Sequence, residues 1–388
     1  MKVLMCTYYA PGLVDGASAS GHSLARHLRN QGTEVTLCTT DLGWPPEQKQ
    51  PPRQENMRVF HAWFASGLEI APSLIPYFIK SFSSYDLIHF RGIYSFSTLA
   101  GAAIAQCLGK PYLVSPLGNC PPTWENRHSR DKGTRKYLFF QLLAKRFIRG
   151  AKGIICASEN EKQALMQLLD SSTQCISIPD GIEASEFSRP VPRNILENRL
   201  GIAEDKFIFL YLGRLSREKA LEFLLQTWDK FIKQFSDAVL VLAGNSDLDP
   251  GYGAYLKQIA SQISDPKSVL FPGSVSGGVK SALLQHSVCL LFPSFHESFG
   301  IVVLEALASG TPVLASHGTP WEILEKHDLG RWLPWDEQTW TKSMAQMLNL
   351  NGSKKAFSER SKLWVQERYS WQSSAERYLE VYREVLAA

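Results

Sequence analysis

No hydrophobic run in the chain approaches the roughly 18 residues that a membrane span needs. The opening stretch, MKVLMCTYYAPG, enters an apolar strand with one lysine and no small-residue cleavage site. The expectation is a cytoplasmic chain, neither exported nor membrane-spanning. Cysteine is sparse. The seven present (Cys6, Cys38, Cys107, Cys120, Cys156, Cys175 and Cys289) contain no close pair at metal-ligand spacing, and several lie inside apolar runs. They read as reduced core residues rather than a zinc site or a disulfide framework. Repeats of 20–50 residues and low-complexity segments are also missing, which excludes a solenoid.

What remains is ordinary soluble composition, 44% hydrophobic and 20% charged, over 388 residues. That length exceeds what one hydrophobic core usually serves, so two domains are expected. Short β-branched runs alternate with helical patterns throughout, the signature of parallel sheets with helices on both faces. In the first half, strands are expected at Lys2–Thr7, Glu34–Thr39, Val59–Ala62, Leu87–Phe90, Tyr112–Ser115, Gly153–Ala157 and Ile176–Pro179. In the second half they fall at Phe207–Leu212, Val239–Ala243, Val269–Phe271, Leu290–Pro293 and Val313–Ala315. The polar, Pro-containing stretch Gly181–Gly201 reads as a linker. The expected layout is an α/β pair of doubly wound domains, 1–180 on the acceptor side and 202–367 binding the nucleotide, joined by 181–201. A C-terminal helix, 368–388, has the N-terminal domain as its candidate packing surface. Ligands of such sheets bind beyond the carboxyl ends of the strands, which places the expected site in a cleft between the two domains.

The most informative stretch is Leu290–Ser316, LLFPSFHESFGIVVLEALASGTPVLAS. A buried strand ends at Pro293, and a helix is expected from Ser298 or Phe299 to Ala308, where Ser309-Gly310 stops it. Backbone amides of Ser298, Phe299, Gly300 and Ile301 would face an anion there, aided by the helix dipole. Glu297 stands at the helix entrance and Glu305 about two turns in, on the order of 10 Å along the axis. Carboxylates beside a diphosphate make sense if they accept hydrogen bonds from neutral hydroxyls, a sugar at one end and a ribose at the other. The alternative is a helix-start carboxylate at Glu297 and a surface residue at Glu305. Upstream, YLGRLSREKALEFLL ends a strand in Gly213 and places Arg214 and Lys219 in the loop that follows. Two cations at that strand end would neutralise a diphosphate, although isolated basic residues are usually solvated.

In this order and separation, these stretches resemble the retaining family 4 glycosyltransferases of GT-B fold. The resemblance also rests on YAPGLVDGASASG, DLIHFRG, PYLVSPLG, ASENEKQAL, IPDGIEASEF and VLAGNSD, and covers nearly the whole chain. It implies two Rossmann-like domains facing each other across a cleft. It further implies that Arg214 and Lys219 bind the donor diphosphate, Glu297 touches sugar hydroxyls and Glu305 holds the ribose, with Gly300 and its neighbours completing the phosphate site. Gly16 would approach the phosphates or the acceptor. Such enzymes use neither metal nor cofactor, and Asp247-Leu248-Asp249 reads as a chance match to a metal motif. Three positions depart from the family pattern. Leu117 stands where many members carry a sugar-contacting His, Gly16-Ala17 replaces a glycine pair, and Asp180-Gly181 replaces Asn-Gly. His89 is a candidate polar contact in the cleft or a structural histidine. The GTPWEIL segment resembles a loop near base and ribose, with Trp321 as contact or packing.

Charge is uneven: residues 1–190 hold 20 Lys and Arg against 15 Asp and Glu, whereas 191–388 hold 21 against 22. Most of the excess lies in Arg127–Lys152, where nine basic residues face one acid, Asp131, and alternate with aromatic and aliphatic residues. That pattern fits an amphipathic helix on an anionic membrane surface, or a core helix with a solvated basic face. Nucleic acid is not an expected partner. The expected activity is retaining, metal-independent transfer from a nucleoside diphosphate sugar to a saccharide or lipid-linked acceptor, in cell-surface polysaccharide or glycolipid synthesis. The rivals are an epimerase or phosphorylase of the same fold and a non-catalytic nucleotide-sugar-binding subunit.

Overall fold

The computed structural model describes every residue except 8–15, 43–55, 64–69, 119–137, 170–172, 247–248, 350–353 and 388. The chain forms two compact units, Met1–Gly181 with Trp371–Ala388, and Ile182–Ser370.

The first unit is built on β1 (Lys2–Cys6), β2 (Glu34–Thr40), β3 (Met57–Phe60), β4 (Leu87–Arg91), β5 (Tyr112–Ser115), β6 (Gly153–Cys156) and β7 (Cys175–Ser177). They pair in parallel in the order β3-β2-β1-β4-β5-β6-β7. Side chains alternate across the pleat, so each strand feeds two cores. Leu4, Cys6, Ile88, Phe90, Val114 and Ile154 enter one of them. Val3, Met5, Leu87, Leu113 and Ile155 enter the other, where Trp371, Tyr378, Leu379 and Tyr382 of the helix Trp371–Ala387 cover them. Cys6, Cys38 and Cys156 are buried in this unit and Cys289 in the other.

The second unit carries β8 (Phe207–Leu212), β9 (Ala238–Ala243), β10 (Val269–Gly273), β11 (Ser287–Phe292), β12 (Val313–Ser316) and β13 (Gly330–Leu333). Their order is β10-β9-β8-β11-β12-β13, again parallel. Ile208, Leu210, Val241, Leu290 and Phe292 face one core, while Phe209, Tyr211, Leu240, Leu242 and Leu291 face the opposite one. Both units are therefore doubly wound. The strand order reverses beside β1 and β4 in the first and beside β8 and β11 in the second, and such a switch point leaves a crevice beyond the strand ends.

Two features differ from the sequence expectation. β13 was not foreseen, because GRWL is four residues long and lets Arg331 face solvent, which breaks the apolar run. The polar stretch Gly181–Gly201 is not an open connector. It carries two short helices, Ala184–Ser188 and Asn194–Leu200, and sends Ile182 and Leu196 into the core of the second unit.

Candidate functional site

The switch point of the second sheet brings two loops together. After β8 the chain passes through Gly213 and Arg214, whose carbonyl accepts a hydrogen bond from the buried Tyr211 hydroxyl at 2.6 Å. Burial pushes that phenol well above its ordinary range, so it remains a donor. Close approach fixes the neighbouring strand end as well. A β-carbon on Gly244, just past β9, would lie 1.8 Å from the Gly213 carbonyl oxygen. A single 3-10 turn, Arg217–Lys219, then leads to Ala220, a buried residue in the left-handed region at φ +53°. A non-glycine residue there costs about 1–2 kcal/mol, and strain of this kind is common where a loop must aim a side chain.

The side chain aimed by this turn is Lys219, which forms an ion pair with Glu297 in the loop after β11. Both are largely buried, 12% and 19% exposed, so water screens the pair weakly. A backbone bond joins the two loops, Phe295 N–H donating to Glu218 O at 2.9 Å, and Glu297 N–H donates to Gly318 O at 3.0 Å in the loop after Val313–Ser316. Arg214 is about half exposed and lies 3.6 Å from the Glu218 carboxylate, leaving most of its guanidinium toward solvent. Arg214, Lys219 and Glu297 are thus gathered at one set of strand ends.

The helix after Glu297 begins later than its sequence suggests. It spans Ile301–Ala308, capped by Gly300 at φ +83°, so Ser298 and Phe299 belong to the loop. The Phe299 carbonyl instead accepts from the indole of Trp321, a buried residue whose ring lies tilted against those of Phe299 and Tyr369. Trp321 therefore packs the loop from beneath. The amides with no intrahelical partner belong to the first helical residues, Ile301 and Val302, while Val303 N–H already bonds Gly300 O at 3.0 Å. Glu305 consequently stands one turn into the helix rather than two, about 6 Å along the axis from Ile301.

Glu305 also has a partner that sequence reasoning missed. Lys280, on the helix Gly277–His286, reaches its carboxylate at 2.7 Å, and the same ammonium sits 5.6 Å from the Phe187 ring centroid. Nothing in the spacing of Lys280 pointed to this, because its helix precedes β11 and Glu305 lies 25 residues on. Of the acidic string after β9, Asp247 and Leu248 lie outside the described residues. Asp249 caps the helix Pro250–Ala260 by accepting from Tyr252 N–H at 3.1 Å, and it pairs with Arg217 at 3.6 Å.

In the first unit, Gly16 opens the helix Gly16–Asn30 beyond the end of β1. His89 is not presented to a ligand. It is fully buried, with Nδ1 2.7 Å from the Tyr382 hydroxyl and Nε2 2.8 Å from Ser115 Oγ. Burial, and then the charge on Arg91, hold its pKa well below 6.5, so the ring is neutral. Arg127, Arg130, Asp131, Lys132, Arg135 and Lys136 lie outside the described residues. The helical stretch from Leu138 to Arg149 buries Phe140, Ala144 and Ile148, and exposes Leu138, Leu142 and Leu143.

Residues 192–364 match the family described as glycosyl transferases group 1, and residues 14–186 match glycosyltransferase family 4. The α-monoglucosyldiacylglycerol synthase of Streptococcus pneumoniae is 32% identical over 337 residues, which cover 79% of this chain and 69% of that protein. An uncharacterised glycosyltransferase of Methanocaldococcus jannaschii is 25% identical, covering 99% of this chain and 98% of its own. Among solved structures, Anabaena HepE in complex with UDP and glucose superposes with a TM-score of 0.77 at 20% identity, over 99% of this chain and all of that one.

The cap at Gly300 is a strict demand of this geometry. A β-carbon there would stand 2.5 Å from the Phe292 ring, in a backbone region that L residues avoid. Gly300→Ala is expected to lower the unfolding free energy by about 2 kcal/mol or more, from left-handed strain and overpacking together. Urea denaturation measures it, and an unchanged midpoint would show that the cap is not built this way.

Proposed function

Since the chain belongs to the GT-B glycosyltransferases of group 1 and family 4, we propose that it transfers a sugar from a nucleoside diphosphate sugar to an acceptor hydroxyl with retention. The observation that carries this reading is the meeting of Arg214, Lys219 and Glu297 with the Ile301 and Val302 amides at the β8/β11 switch point. A diphosphate seated there would meet two cations and a helix N-terminus, a combination that stabilises a departing phosphate without a divalent ion. Glu297, beside Lys219, would accept from sugar hydroxyls. Glu305, one turn into the helix, would accept from the ribose. In this mechanism no side chain acts as nucleophile. The leaving phosphate takes the acceptor proton on the face where the new bond forms. UDP and glucose in HepE support a nucleotide-sugar donor here.

The acceptor we propose is lipid-linked or saccharide, in cell-surface polysaccharide or glycolipid synthesis, and met at an anionic membrane surface. The name of the pneumococcal relative, α-monoglucosyldiacylglycerol synthase, supports this. So does the stretch Leu138–Arg149, whose exposed leucines share a helical face with the exposed Arg146. The helix Leu74–Ser81, which packs on the same face of the first sheet, adds exposed Ile75 and Ile79 beside Lys80. Apolar side chains flanked by cations gain both burial and attraction at an anionic leaflet, about 1 kcal/mol per basic residue.

The reaction itself is tested by nucleotide release from a panel of UDP, GDP and ADP sugars, with and without acceptor, in excess EDTA. Acceptor-stimulated release that survives the chelator is expected, with the donor's anomeric configuration preserved in the product by NMR. Chelator-sensitive release restored by Mn²⁺, or an inverted product, would refute the corresponding part.

The two glutamates should fail differently. Glu305→Ala is expected to weaken nucleoside diphosphate and intact donor alike, by about 1.5–3 kcal/mol. Glu297→Ala should leave nucleoside diphosphate affinity nearly unchanged while lowering donor affinity or turnover. Calorimetric titration with both ligands decides, and equal weakening of bare nucleotide would remove Glu297 from the sugar end.

Membrane binding is read by sedimentation with phosphatidylglycerol and phosphatidylcholine vesicles. Anionic vesicles alone should retain the protein, less so as salt rises or in Leu142→Ser and Arg146→Glu variants. Arg149 is a poor probe, since its guanidinium already donates to Leu169 O at 2.9 and 2.6 Å. Equal partition onto both lipids would retire the membrane reading.

A further inference from the structure

The ion pair between Lys280 and Glu305 is built into the molecule. The two side chains are only 17% and 12% exposed and meet at 2.7 Å, so the pair stands largely out of water. Lys280 is in the first turn of the helix Gly277–His286, which follows β10, and Glu305 is in the helix Ile301–Ala308, which follows β11. Both helices start beyond the carboxyl ends of their strands, the side of a doubly wound sheet where ligands bind.

A plainer role for Lys280 would be to fasten the two helices together. That task is already met, because Ala282, Leu283 and Leu284 of the first helix and Val303, Leu304 and Leu307 of the second enter one apolar core. A buried ion pair adds little to such packing, since the cost of taking two charges out of water offsets their attraction.

The hydrogen-bonding capacity of the pair is only partly used. An ammonium carries three N–H donors and no acceptor, whereas a carboxylate only accepts. One N–H of Lys280 donates to Glu305 Oε1, and the Phe187 ring covers the ammonium on another flank, with its centroid 5.6 Å from Nζ. Among the described residues no other hydrogen bond engages Lys280 Nζ or Glu305 Oε2. An acceptor therefore stands beside an unengaged donor. Two hydroxyls on adjacent carbons match that arrangement: one donates to the carboxylate while its neighbour accepts from the ammonium.

We propose that Lys280 is a further binding residue for the nucleotide, and that Lys280 and Glu305 together read the ribose 2′,3′-diol, the lysine by donating and the glutamate by accepting. The inference rests on the donor site proposed above, in which Glu305 alone faces the ribose. It makes Lys280 a determinant of specificity for ribonucleotide over deoxyribonucleotide donors, because a site with polar groups set for a hydroxyl rejects an analogue that lacks it.

Calorimetric titration of UDP, GDP and ADP, each against its 2′,3′-dideoxy form, tests this. The wild-type chain should prefer the ribose form of the nucleotide it binds by about a hundredfold, as expected for hydrogen bonds to charged groups. Lys280→Met keeps an unbranched stem beside Phe187 and removes the donor. Affinity for the ribose form should fall about tenfold, while the dideoxy form should change by less than about twofold. Equal weakening of both forms would reduce Lys280 to a structural residue. A variant that leaves no charge buried alone guards against loss of folding: the Lys280→Met, Glu305→Gln double variant should bind both forms alike, and a ribose preference surviving in it overturns the proposal. The donor site and this inference fail differently. If none of the three nucleotides binds the wild-type chain, the donor site falls and the diol reading with it. Binding without preference for ribose removes the diol contact and leaves the diphosphate site standing, and a preference that Lys280→Met leaves whole removes Lys280 alone.

Discussion

The parallel pairing of β8 with β11 is the constraint on which the site depends. Chain order would place β9 and β10 beside β8 on one side and leave β11 free, yet β11 returns to the opposite edge and pairs Leu290 with Leu210. The loops beyond the two strands then meet at one switch point, and the residues proposed for binding hang from them. Gly213 and Gly244 allow the strand ends to approach, Ala220 accepts strain to turn Lys219 inward, and Gly300 starts the helix against the Phe292 ring. Remove the adjacency of β8 and β11, and none of these local devices has a common target.

Charge pairing inside the crevice follows the same logic. Two carboxylates near the proposed phosphate site would repel an anion if they stood alone. Each stands instead with its own lysine, Glu297 with Lys219 and Glu305 with Lys280, in surroundings dry enough for the pairs to matter. The lysines lower the local negative charge while leaving carboxylate lone pairs to accept from hydroxyls. Arg214 is paired more loosely and is half exposed.

Much of this was legible in the residues, and the misses have physical causes. Twelve strands announced themselves because buried parallel strands are continuous β-branched runs, while β13 did not, being short and exposed at Arg331. The helix expected from Ser298 or Phe299 starts only at Ile301. Tertiary packing decided otherwise: Trp321 donates to the Phe299 carbonyl, and only glycine at 300 fits against Phe292. The polarity of Gly181–Gly201 suggested a connector, yet Ile182 and Leu196 were enough to bind it to a core. Lys280 could not be found from spacing at all, since its meeting with Glu305 is a consequence of how two helices pack.

The two units solve their interiors differently, and the difference bears on how they form. The second unit is contiguous, Ile182–Ser370, and its cores draw on that segment alone. The first is discontinuous. Tyr378 and Tyr382 arrive from the far end of the chain to face a polar interior that β4 supplies: His89 meets the Tyr382 hydroxyl, and Arg91 reaches Tyr378 at 3.4 Å, Ser20 at 2.5 Å and Asp180 at 3.4 Å. A guanidinium buried this completely is tolerable only when its partners are in place. Strands β1–β7 can pair before the helix Trp371–Ala387 exists, but their second core stays open and their buried cation underserved until it docks. His89, which touches both Tyr382 and Ser115, links that helix to the end of β5.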